Sequence, residues 1–147
     1  MNCSSRIHIR QDVFVCYNQG MNKSYPLDGL FRALADRTRL RLLNLMAEQE
    51  ICVCYFVQVI DAPQPKISRH LAYLRRAGIV AARREGKWMH YRLAVPADAH
   101  AATILKATLG ALRQNKELRN DLQRLNRACC GPNSLIQLLG APAPVSA

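Results

Sequence analysis

Between Lys66 and Leu93 the apolar pattern changes period, and that change limits the possible folds more than any other feature. In "KISRHLAYLRRAG" Ile67, Leu71 and Leu74 recur at helical spacing, and Gly78 ends the run. "IVAARREGKWMHYRLAV" then turns extended: two runs, 79–84 and 87–94, flank Glu85-Gly86, a hairpin signal. Just upstream, "DAPQP" reads as a turn, because Pro63 and Pro65 are excluded from a helix interior.

Ahead of this block, "LDGLFRALA" places Leu27, Leu30, Phe31 and Leu34 on one face of a first helix. Asp36 reads as the N-cap of a second, with Leu40, Leu43 and Met46 following. "EICVCYF", residues 50–56, leads into a short third helix through Val57 and Ile60. Three helices, a turn, a helix and a hairpin predict a winged helix-turn-helix, mainly α with a small β-hairpin wing. Residues 97–114 return to helix, with Ile104, Leu105, Thr108, Leu109 and Leu112 on one face, and "NKELRNDLQRLNRA" continues after a break near Asn115. An amphipathic helix at the end of so small a domain needs an apolar partner, so 97–112, together with the first helix, predicts a homodimer interface. The expected organisation is a flexible arm over 1–24, with translation starting at Met1 or at Met21; a DNA-binding and dimerisation domain over 25–114; a C-terminal helix over 115–130 ending in a cysteine pair; and a disordered Pro/Ala-rich tail over 131–147.

Charge points to the partner. The 147 residues hold 21 Lys plus Arg against 10 Asp plus Glu, a net charge of +11, which marks an anionic partner. No run approaches the ~20 apolar residues of a membrane span. The first twenty residues lack an apolar core followed by a cleavage site, so a cytoplasmic chain without a membrane partner is expected. Over residues 62–92 eight basic residues stand against one acid, Glu85, and they coincide with the helix-turn-helix and the hairpin. A solvated basic face is the plain alternative; the coincidence favours operator double-stranded DNA. The fourth helix would enter the major groove, making Gln64, Lys66, Ser68, Arg69, His70 and Tyr73 candidate contacts. Arg83, Arg84 and Lys87 on the wing would meet phosphate.

Six cysteines in a chain expected to stay reduced point towards metal or redox chemistry rather than a disulfide framework. Core packing is the plain account of Cys52 and Cys54. The alternative is chelation of a soft ion such as arsenic(III), antimony(III), lead or cadmium. Inside a regular helix the two side chains would diverge by ~200°, so chelation requires the pair at a helix start, where the dipole also favours thiolate. No cysteine is followed six residues later by an arginine, and no Cys-x-x-Cys is present, so no enzyme is expected.

"ALADRTRLRLLNLM", "EICVCYF" and "PKISRHLAYLRRAGIVAARREGKWMHYRL" resemble the ArsR/SmtB family of metal-responsive repressors, most nearly its arsenic-sensing members, over about Leu27 to Leu112. The resemblance implies a homodimer that binds operator DNA in the apo state and is released by a metal or metalloid, here arsenic(III) or antimony(III), with no organic cofactor. It also implies that Cys52 and Cys54 are ligands. The similar arsenic-sensing segment reads ELCVCDL with a third cysteine three residues on; here Val57 holds that place and Tyr55 replaces the acid. The missing thiolate is expected from Cys129 and Cys130, with Cys3 and Cys16 of the arm or an exogenous thiol as alternatives. Cadmium- and lead-sensing relatives use arm cysteines, and a thiol-redox switch on the same fold is a further alternative. The zinc-sensing pattern is half met by Asp98 and His100, but Ala111 and Gln114 fill its later positions. Asp98 therefore reads as an N-cap.

Overall fold

The computed structural model describes residues 25–130 and 140–146. In chain order the elements are α1 (Leu27–Leu34), α2 (Arg37–Leu45), β1 (Gln49–Cys52), α3 (Val53–Ile60), α4 (Gln64–Arg76), β2 (Val80–Glu85), β3 (Trp88–Leu93), α5 (Ala99–Gln114), α6 (Lys116–Cys130) and β4 (Val145–Ser146). The arm, with Cys3 and Cys16, lies outside the described residues.

The helix boundaries follow from local chemistry. Asp36 caps α2, its Oδ1 accepting from the Arg39 N–H at 2.9 Å. Arg39 then reaches back to the open end of α1, donating to the Ala33 and Arg32 carbonyls at 2.7 Å each. Asp98 caps α5 through the Ala101 N–H at 2.8 Å. Asn115 breaks α5 from α6, its Oδ1 accepting from the Glu117 N–H at 2.9 Å. Helix α4 begins within the expected turn, because Pro65 falls in its first turn, where a missing N–H costs nothing. It ends where Gly78 takes φ 73°, with the Ile79 N–H closing onto the Leu74 carbonyl at 3.2 Å. The Tyr25 hydroxyl also donates to the Ala77 carbonyl there.

Ile67, Leu71 and Leu74 of α4 are fully buried, each contributing about 1.5–3 kcal/mol by leaving water. They meet a core built from α2 and from Tyr55 and Phe56 of α3. Strands β2 and β3 pair from Val80↔Leu93 to Glu85↔Trp88 around Gly86, whose φ of 57° suits the first position of a two-residue hairpin loop.

Two features depart from expectation. The hairpin is part of a four-stranded sheet of order β2-β3-β1-β4, because Ile51 and Cys52 pair with Tyr91 and His90. The tail was expected to be disordered throughout. Residues 131–139 lie outside the described residues, but Val145 and Ser146 pair with Glu50 and Gln49, covering the free edge of β1. Helix α6 folds back onto α2, α3 and α5.

Candidate DNA-reading face and thiol pair

On α4, Gln64, Lys66 and Arg69 are exposed, and Ser68, His70 and Tyr73 are half-buried. A cleft of about 970 Å³ opens between α4 and β2, and Arg39, Lys66, Arg69, Arg75 and Arg76 line it. Five cations converging on one cleft are an anion-binding surface. Tyr73 stands on its wall with the Arg39 and Arg76 guanidiniums 4.3 and 5.6 Å from its ring centroid, so it is a platform for two cations. His70 turns towards the Asp36 cap, with its Nδ1 3.5 Å from Oδ1. Burial holds its pKa below the usual imidazole value; Asp36 opposes this, while Arg39, Lys66 and Arg69 reinforce it. The cleft role of Arg39 was not read from the sequence. Its one signal is its place three residues after the capping Asp36, the spacing that turns an arginine back over the preceding helix end.

The three wing cations differ. Arg84 is exposed and donates to the Gly86 carbonyl at 3.0 Å, and Lys87 lies 4.8 Å above the Trp88 ring. Arg83 is already engaged, with Nη2 2.6 Å from Glu50 Oε1 and Nη1 2.7 Å from Glu85 Oε2. Its guanidinium holds the Glu50 carboxyl below the usual carboxylate range.

The sulfurs of Cys52 and Cys54 lie 3.0 Å apart. They converge because Cys52 is the extended N-cap of α3 (φ −68°, ψ 143°) and only Cys54 is helical. Cys52 is fully buried and Cys54 half-buried. The Cys54 thiol donates to the Cys52 sulfur, and this is the main reason that Cys52 is brought down to about 7; burial opposes it, and the amides of Cys54, Val53 and Met89 assist. Giving that proton raises the Cys54 pKa well above the usual thiol value. The geometry therefore favours a thiolate on Cys52, with the remaining proton held by Cys54.

A pH dependence follows from the sign. A thiol depressed in the folded state adds stability above its unfolded pKa and loses that contribution as pH falls through about 7. Thiolate ultraviolet absorbance should show in the wild type a component with a midpoint near 7, which should move upward in Cys54→Ala. An identical titration of the two proteins would remove the hydrogen bond from this account.

Helix α6 packs along α3, and Cys129 near its end is half-buried against the core. Among the described residues no group of three or more His, Cys, Asp or Glu is gathered as for a metal ion. His100 lies exposed on α5, and Asp98 is occupied as its cap.

The fold is that of a winged helix-turn-helix protein. A model of the "Bacterial regulatory protein, arsR family" matches residues 36–82. The chain is 51% identical over 77 residues to the arsenical resistance operon repressor of Escherichia coli (strain K12), covering 52% of this chain and 66% of that protein. It is 42% identical over 86 residues to the arsenic resistance transcriptional regulator ArsR2 of Pseudomonas putida, covering 58% of this chain and 75% of that protein. HlyU from Vibrio cholerae N16961 shares the fold with a TM-score of 0.52 and 26% identity, over 60% of this chain and 92% of that one. The chain belongs to the ArsR family of helix-turn-helix transcriptional regulators, which is not a family of enzymes. The matches span just under two thirds of the first two relatives, 66% and 65% of their lengths. No helix among the described residues is long and apolar enough to cross a membrane.

Proposed function

We propose that the chain is a homodimeric repressor that holds operator DNA in its apo form and releases it when arsenite or antimonite binds Cys52 and Cys54. The observation that carries this reading is the thiol pair itself, its sulfurs 3.0 Å apart at the start of a helix that packs against the reading helix α4. Soft trivalent ions favour thiolates. Drawing both sulfurs onto one ion reshapes the start of α3, and α3 bears on α4, so the two reading helices of the dimer lose their spacing. The ion acts only through its differential affinity for the two states.

Two relatives are named for arsenical or arsenic resistance, in keeping with such an ion. Cys129 and Cys130 are the proposed source of the third thiolate, since α6 runs beside α3. The dimer would close over α1, which leaves Leu27 and Phe31 41% and 55% exposed, and over Ile104, Thr108 and Leu109 of α5, each half-buried in the single chain. Release of labelled operator by arsenite in excess reductant tests the reading. Release by cadmium or lead alone, or by oxidant without metal, would replace it with one of its rivals.

The reading helix makes its own prediction. Lys66→Ala and Arg69→Ala should each weaken operator binding by about 1–3 kcal/mol, the worth of a base contact. Arg84→Ala should weaken binding to every sequence alike and reduce the salt slope by about one. Operator titrations at several salt concentrations separate the two behaviours. Wild-type affinity in both α4 variants would remove that helix from the reading role.

A further inference from the structure

One side chain ties the wing to the strand that ends in Cys52. In the order β2-β3-β1-β4 the wing strand β2 and the thiol-bearing strand β1 are not neighbours; β3 separates them. Arg83 of β2 nevertheless reaches Glu50 of β1, with Nη2 at 2.6 Å and Nε at 3.0 Å from Oε1. His90 of β3 is the register partner of both Arg83 and Cys52, so these three residues form one row on one face of the sheet. Glu50 lies two residues before Cys52 and therefore shares that face.

The clasp is more than a surface ion pair. The Glu50 side chain is only 15% exposed, and its Oε1 accepts from two donors of one guanidinium. Glu85 adds a second carboxylate 2.7 Å from Arg83. A cation compensated twice has little left for a DNA phosphate, although it sits on the wing beside Arg84 and Lys87. Its partner Glu50 must follow any movement of the strand that ends in Cys52.

We propose that Glu50 is the positioning residue through which the thiol pair governs the wing: it holds Arg83 away from DNA and locks the hairpin to β1 while the thiols are free, and passes the displacement of β1 to the hairpin when they are occupied. This rests on the reading of Cys52 and Cys54 as the sensing thiols. It adds a route to DNA through the sheet, separate from the contact of α3 with α4.

Glu50→Gln tests it, since the substitution keeps the size and removes the charge. Without inducer, Arg83, then paired with the exposed Glu85 alone, should gain reach to the backbone, and the salt slope of operator binding should steepen, by at most about one charge. That gain should vanish in the Glu50→Gln, Arg83→Ala double variant, which a merely structural role of Glu50 would not produce. With arsenite, protection of thiols from a disulfide reagent should match wild type, whereas the dose that releases operator should rise about tenfold, a common size for a coupling. Trp88, the single tryptophan, lies on the wing and reports its movement. Its emission should respond to arsenite in the wild type and not in Glu50→Gln. A variant with the wild-type salt slope and the wild-type release dose would overturn the proposal. Failure of arsenite to protect thiols in the wild type would strike the sensing assignment instead, and the salt slope, read without inducer, would still decide whether Glu50 restrains Arg83.

Discussion

Cys52→Ser is expected to bind operator as the wild type does and to keep it at every arsenite dose that empties the wild type. Serine is nearly isosteric, and a hydroxyl is a favoured acceptor at the N-cap that Cys52 occupies, so α3 should form unchanged. What is lost is the soft ligand, and with it the thiol whose pKa its partner lowers. Cys54→Ser should also abolish release, because it breaks the chelating pair and puts a hard hydroxyl in place of a soft ligand. Dissociation of labelled operator against arsenite, in excess reductant, gives both answers. Normal release in either variant would move the sensing site elsewhere. The same assay locates the third thiolate: the Cys129→Ser, Cys130→Ser pair should raise the dose, and Cys3→Ser, Cys16→Ser should not. The opposite result would assign the arm cysteines and the pattern of the cadmium- and lead-sensing relatives.

The parts of this site that were legible in the sequence are those set by local periodicity. Ile67, Leu71 and Leu74 announce α4, Gly78 announces its end, and the change to alternation announces the wing, because each depends on neighbours a few residues away. The place of the thiol pair was also legible locally: two thiols one residue apart converge when the first lies outside the helix, and Cys52 does. Strand β1 was not legible. Four residues, Gln49 to Cys52, are too few to show alternation before the helical pattern of α3 begins, and their strand character comes from pairing with β3 some forty residues away. The directions of polar side chains were hidden for the same reason. Composition marks Arg83, His70 and Tyr73 as plausible DNA contacts. The register that brings Arg83 to Glu50, the cap that draws His70 to Asp36 and the stack that sets Tyr73 between Arg39 and Arg76 exist only in the folded chain.

Arg41→Ala is expected to cost about 3–5 kcal/mol of stability, the usual loss when one partner of a buried pair is removed. Arg41 Nε and Nη2 lie 2.7 and 2.8 Å from the two carboxylate oxygens of Asp121, which joins α2 to α6 in a two-point contact. The Asp121 side chain is 2% exposed, so truncating its partner strands a carboxylate that water cannot reach. Asn44, also buried, donates to the Leu118 carbonyl at 3.0 Å one turn earlier on α6, and that bond would loosen with the pair. Replacing both partners together, Arg41→Met with Asp121→Leu, should lose far less, because nothing charged is then left buried. Thermal unfolding at one fixed protomer concentration compares the three proteins, with a fall of roughly 10 °C or more expected for the single variant. A single variant as stable as the wild type would mean that α6 is held without this ion pair. The consequence reaches function, since α6 carries Cys129 along α3: a loosened α6 should raise the arsenite dose for release without touching Lys66, Arg69 or the wing.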